Sequence, residues 1–275
     1  MSFTEILALL QYPPIMRGAL VLLAAGTFFP LIGVFVIRLN LITLRFAVMH
    51  SALLGAAIGL AAGLSPLPVM MGVNVLLILG IAVLGKKVGP NLGHITTFFM
   101  VLTIGLAFAV LYRFNVPAND SLGLLWGNVF ALTRFDAIVT IGFALFIMVL
   151  VLVLFPKLAA VLYDRELAFT AGVPSGLIHT GILFAVGLTI TLTMGLIGAL
   201  LLDAVLILPA LIAGVTSRSL RGLFVQAMAF GFLISLVGFV FAIGIDIPAS
   251  SGVTIVGALV LGFVSLVSHI QRRHA

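Results

Sequence analysis

Of 275 residues, 63% are hydrophobic and only 7% charged, whereas a soluble domain carries about a quarter charged residues, so the chain reads as a polytopic membrane protein. The absence of cysteine excludes disulfides and thiolate metal sites and leaves His, Asp, Glu, Asn, Thr and Met as possible ligands. A net charge of +6 would suggest nucleic acid for a soluble protein; here the positional rule for membrane loops explains it, and no nucleic-acid partner is expected.

Apolar stretches of about 20 residues without apolar/polar alternation predict helices rather than outer-membrane strands. The first apolar run, 6–10, is too short and lacks the basic leader of a cleavable signal. Spans are predicted at 15–37, 41–63, 66–85, 93–112, 135–156, 177–197, 198–215, 221–244 and 252–270. The expectation is an all-α bundle of 8–9 transmembrane helices forming one permease domain over residues 1–275. Between the sixth and seventh spans, "GLIGALLLDAVLILPALIAG" has no charged loop, which allows a broken or re-entrant helix.

With nine spans and a cytoplasmic "HIQRRHA" tail, the inner loops hold Arg38, Arg45, Lys86, Lys87, Lys157, Arg165, Arg218, Arg221, Arg272 and Arg273. Only Arg17, Arg113 and Arg134 stay outside, a bias that fixes the orientation. The N-terminus is then outside, with residues 2–11 an interfacial segment. Trp126 lies in an outer loop, where an interfacial aromatic belongs. No GxxxxGK[ST] loop is present and no appended soluble domain is expected, so energy is expected from a partner or an ion gradient.

Within the second span, Gly55, Gly59 and Gly63 recur every four residues and predict a helix-packing ridge. His50 sits about 140° around the helix from Gly55, on a face with Thr43, Phe46, Leu53 and Ala57. A histidine inside a span suggests a functional site, with a cross-helix hydrogen bond as the structural alternative; both stay open. Asp203, in "LLLDAVLIL", is the only acidic residue deep in an apolar run. A carboxylate there costs about 2.5 to 3.5 kcal/mol and so should face protein or water, either on a transport path or in a helix–helix hydrogen bond. Pro209, six residues later, predicts a kink or break. The outer Asp120, Asp136 and Asp246 read as solvated or as contacts for a docking partner.

Several stretches, in order along the chain, carry a resemblance. "QYPPIMRGAL" resembles Gln-Tyr-Pro-Phe-Met-Arg-Arg-Ala-Leu, and "DRELAFTAGVP" resembles Asp-Pro-Glu-Leu-Ala-x-x-x-Gly-Val/Leu-Pro. "IGALLLDAVLILPALIAGVTSRSLR" is similar to Val-Gly-x-Leu-Leu-x-x-Ala-Leu-Leu-Ile-x-Pro-Ala-x-x-Ala, and "IDIPASSGVTIV" to Leu-Asp-x-Pro-x-Gly. These are motifs of the permease subunits of bacterial ABC transporters that import zinc, manganese or iron. The resemblance implies a homodimer in the plasma membrane, a cytoplasmic ATPase subunit below it and an extracytoplasmic metal-binding protein above. It implies no enzymatic activity in this chain and no permanently bound cofactor, only a transported divalent metal. It also implies that Asp164, Arg165, Glu166, Arg218 and Arg221 belong to the ATPase-coupling loops.

The chain departs from the family at "RFAVMHS". The family reads Gly-Asp-Ala-Leu-Ser-His-Ala, whose Asp and His, four residues apart, share a helix face. Here His50 stands at the family histidine, but Phe46 replaces the aspartate and Arg45 the glycine. Phe46 cannot ligate a cation, and Arg45 opposes one. The expectation is that Asp203, at a position usually small in the family, completes a site with His50. The alternatives are an importer of a chelated metal or other small solute, and a proton-driven secondary transporter using the same two residues.

Overall fold

The computed structural model describes residues 11–88, 92–116 and 129–274; residues 2–10 of the expected interfacial segment, Asp120 and Trp126 lie outside them. The helices are α1 (Pro13–Phe28), α2 (Pro30–Arg38), α3 (Ile42–Ala61), α4 (Pro66–Val88), α5 (Leu92–Arg113) and α6 (Arg134–Tyr163). They continue with α7 (Arg165–Thr170), α8 (Ser175–Leu196), α9 (Ala199–Leu206), α10 (Leu208–Thr216), α11 (Leu220–Gly244) and α12 (Ala249–His274). A short 3-10 helix, Val129–Ala131, precedes α6, and no strand occurs among the described residues. Those residues contain nine helical stretches long and apolar enough to cross a membrane.

Two of the nine are interrupted. The first, Pro13–Arg38, breaks at Phe29, because Pro30 has no N–H to donate to the Gly26 carbonyl one turn earlier. The expected span 15–37 is therefore two helices end to end. The seventh, Ala199–Thr216, breaks at Ile207, with Pro209 in the first turn of α10. Gly198, at φ +101°, makes the turn from α8 into α9, a conformation costly for a residue with a Cβ. The expected discontinuity thus falls within the seventh span as well as between the sixth and seventh. In contrast, α6 continues past Pro156 to Tyr163 as a 30-residue helix, about 45 Å long and longer than the hydrocarbon core is thick.

The chain divides into two compact units. One comprises Met1–Ile37, Asn128–Phe155 and Leu200–Ala275, the other Arg38–Gly127 and Pro156–Ala199. In the first unit α11 packs on α1, α10 and α12. Small residues allow close approach: a Cβ on Gly231 of α11 would run into the Gly26 carbonyl of α1, and one on Gly33 of α2 into the Leu206 carbonyl of α9. Phe35 and Phe155 both meet Phe224 edge-on, with ring centroids 5.4 and 5.8 Å away. In the second unit α3 lies against α4, α5 and α8, and α4 against α8.

Candidate functional site

His50 is carried by α3, the most enclosed helix of its unit, and its ring is half-buried. Nδ1 lies 2.7 Å from the Phe46 carbonyl, which can only accept, so Nδ1 donates and, in the neutral ring, Nε2 keeps its lone pair. That lone pair can accept a proton, a hydrogen bond or a transition-metal ion. The helix itself therefore sets the tautomer, through a backbone group one turn below.

The neighbouring departures from the family pattern touch each other. The Arg45 guanidinium carbon lies 4.2 Å from the centroid of the Phe46 ring, a cation–π contact, and Arg45 is buried. Thr43, on the same face, accepts a 3.0 Å hydrogen bond from Thr96 of α5.

The glycines of α3 divide by role. A Cβ on Gly55 would stand 2.5 Å from Met70 Cα and one on Gly59 3.0 Å from Pro66 Cα, so both let α4 approach closely. Gly63 departs from the expected ridge: at φ +66°, with nothing near its Cβ position, it ends the helix. The Gly63 and Leu64 N–H groups donate to the Leu60 and Gly59 carbonyls, the pairing of a left-handed C-cap, which a repeat of four in the sequence does not distinguish from packing.

Asp203 belongs to the other unit, half-buried on α9 one turn before the break, and its carbonyl accepts from Ile207 N–H at 3.0 Å. Val205, four residues before Pro209, loses the usual helical donor to its carbonyl. Among the described residues no group of three or more His, Asp or Glu side chains gathers as a metal site.

The two loop segments are built for exposure. Asp164 caps α7, its Oδ1 accepting from Glu166 N–H at 2.8 Å and Leu167 N–H at 2.9 Å. Arg165 and Glu166 are exposed beside it, and so are the apolar Tyr163 at the end of α6, Leu167 and Phe169 of α7 and Leu177 of α8. Ser219 caps α11 through Gly222 N–H at 3.0 Å, between exposed Arg218 and Arg221, and the Arg221 guanidinium carbon lies 5.8 Å from the Phe155 ring.

Two of the carboxylates expected on the outer side have local tasks. Asp136 and Thr133 exchange hydrogen bonds as a capping box at the start of α6, and Asp246 takes φ +57° at the turn that ends α11. Sequence reasoning passed over Ser51, Asn74 and Thr191, three fully buried polar residues of one unit; the signal available was a lone Asn in an otherwise apolar span.

Comparison with known proteins places this geometry. The chain is 24% identical to the manganese transport system membrane protein MntC of Halalkalibacterium halodurans, over 91% of this chain and 86% of the relative. It is 22% identical to the manganese import system permease protein ScaB of Streptococcus gordonii, over 83% of this chain and 82% of the relative. Among solved structures, PsaBC from Streptococcus pneumoniae in complex with Fab shares the fold, with a TM-score of 0.82 at 20% identity, covering 96% of this chain and 95% of that one. A family model, the ABC 3 transport family, matches residues 11–268, and the chain belongs to that family.

Proposed function

We propose that this chain is the membrane-spanning permease subunit of an ABC importer that carries a divalent transition-metal ion, manganese foremost, across the bacterial plasma membrane. Membership of the ABC 3 transport family and the names of the manganese permeases it resembles support the class and the cargo. The observation that carries the site is the His50 tautomer: a half-buried imidazole within a span, whose helix holds Nδ1 and leaves Nε2 free to meet a cation. Asp203, the acidic residue of the broken span, supplies the carboxylate that Phe46 no longer provides. Neutral imidazole with carboxylate suits manganese, zinc and iron alike.

ATP is hydrolysed on a separate cytoplasmic subunit, which docks on the exposed apolar residues around α7 and the basic turn at Arg218 and Arg221. An extracytoplasmic metal-binding protein delivers the ion, the permease works as a homodimer and its C-terminus is cytoplasmic, as the excess of inner Lys and Arg favours. Uptake of radioactive manganese by vesicles holding the permease with its ATPase tests the reading. ATP-dependent uptake reduced in both His50→Ala and Asp203→Asn, more strongly in the former, is expected; uptake unchanged in both sinks the site.

A second reading draws on the Arg45–Phe46 stack, which puts a cation and an aromatic face where the family has glycine and aspartate. Those groups suit an anionic or aromatic metal chelate better than a bare ion. ATP-dependent uptake of a chelate with none of free metal distinguishes it.

A further inference from the structure

The buried faces of α3, α4 and α8 meet in a fixed register. On α3, Gly59 faces Pro66 and Gly55 faces Met70, each step of four up one helix matching a step of four down the other. One further step brings Ser51 level with Asn74. On α8, a Cβ at Gly187 would meet the Ile78 side chain and one at Gly195 the Met70 side chain, so Thr191, midway between them, is level with Asn74 as well. A hydrogen bond of 2.6 Å from Asn74 Nδ2 to Thr191 Oγ1 confirms the register. Thr191 in turn donates to the Gly187 carbonyl at 2.7 Å.

Ser51, Asn74 and Thr191 are fully enclosed, yet Asn74 Oδ1 and Ser51 Oγ have no hydrogen-bond partner among the described residues. Inside a membrane span an unmet polar group is costly, since lipid offers no substitute partner. The two atoms are complementary: Oδ1 only accepts, while the hydroxyl donates and accepts. The register sets them at one level, and they do not bond directly, an arrangement that a bridging molecule between them would satisfy.

We propose that Ser51 and Asn74 hold one ordered water between α3, α4 and α8, completing a polar clamp that runs from Ser51 through Asn74 to Thr191. A water donates to Asn74 Oδ1 and accepts from the Ser51 hydroxyl, meeting both orphaned atoms at once. A bare cation fits worse, because the site offers neutral oxygens only and the four spans of this unit contain no Asp or Glu. If the importer reading holds, the clamp ties the helix of His50 to α8, which packs on α7 of the docking segment, so the three move as one body.

Hydroxyl-radical footprinting of the full-length permease in lipid nanodiscs tests the water without reference to transport. Met70 is fully buried one turn from Asn74, and a bound water beside it generates radicals in place. Strong oxidation of Met70 is expected in the parent protein, falling several-fold in Asn74→Leu and in Ser51→Ala; the latter removes a hydroxyl without adding bulk and serves if Asn74→Leu fails to fold. Met70 unlabelled in the parent, or labelled equally in Ser51→Ala, overturns the proposal. Labelling that disappears when choline replaces sodium overturns it in favour of a cation.

Discussion

The helix of His50 and the span of Asp203 hold their ionisable groups by opposite means. α3 runs unbroken for 20 residues, fixed against α4 by Gly55 and Gly59, and orients His50 through its own backbone. The span Ala199–Thr216 is two short helices separated at Ile207, and Asp203 stands one turn before the point where proline removes a backbone donor. One group is positioned by regularity, the other by its interruption. Substitutions should therefore fail differently: on α3 through packing or through the ring, and in the broken span through the backbone as well as the carboxylate.

The largest effect is expected on the packing side. Gly55→Leu forces a side chain against Met70 Cα, where backbone rather than a flexible side chain must yield, so the protein should not be recovered as a monodisperse species in size-exclusion chromatography. Gly63→Ala, in the turn, should be recovered normally with a loss of about 1 kcal/mol in thermal unfolding, from strain at positive φ.

Next comes the ring itself. His50→Ala should lower ATP-dependent metal uptake at least about tenfold with the fold intact, as loss of a ligand does. Asp203→Asn keeps the shape of the side chain and should reduce uptake less, about three- to tenfold, because an amide oxygen still reaches a hard cation. Equal losses in the two would erase the contrast between them.

A gain tests the same contrast from the other direction. Phe46→Asp restores a carboxylate four residues before His50 and should lower the half-saturating concentration of free manganese several-fold while making Asp203→Asn better tolerated. A small effect, of the same order as that of Gly63→Ala, lies outside the spans. Asp164→Ala removes two backbone hydrogen bonds at the start of α7 and should cost about 1 kcal/mol of local helix stability, read as weaker co-purification of the ATPase.

Much of the architecture was legible in the sequence because it follows from local chemistry. Run length and hydropathy give nine spans, and "DAVLILPAL" announces a break near Pro209. Pro30 carries the same signal inside the first span, yet the apolar run around it conceals the interruption when hydropathy alone sets the boundaries. The ring orientation of His50, the Arg45–Phe46 stack and the separation of Gly63 from Gly55 and Gly59 are less legible, since periodicity describes a face but not what lies opposite it.

By itself the sequence determined that the chain is a helical membrane bundle, where its spans fall, and which intramembrane residues carry ionisable groups, because each of these depends on a residue and its near neighbours. Tertiary structure alone decided which glycines touch a partner helix and that Asn74 and Thr191 share one level. The physical reason is that a polar atom in a span is satisfied by groups more than a hundred residues away, as Asn74 is by Thr191, and such a pairing depends on helix register, which no local pattern encodes.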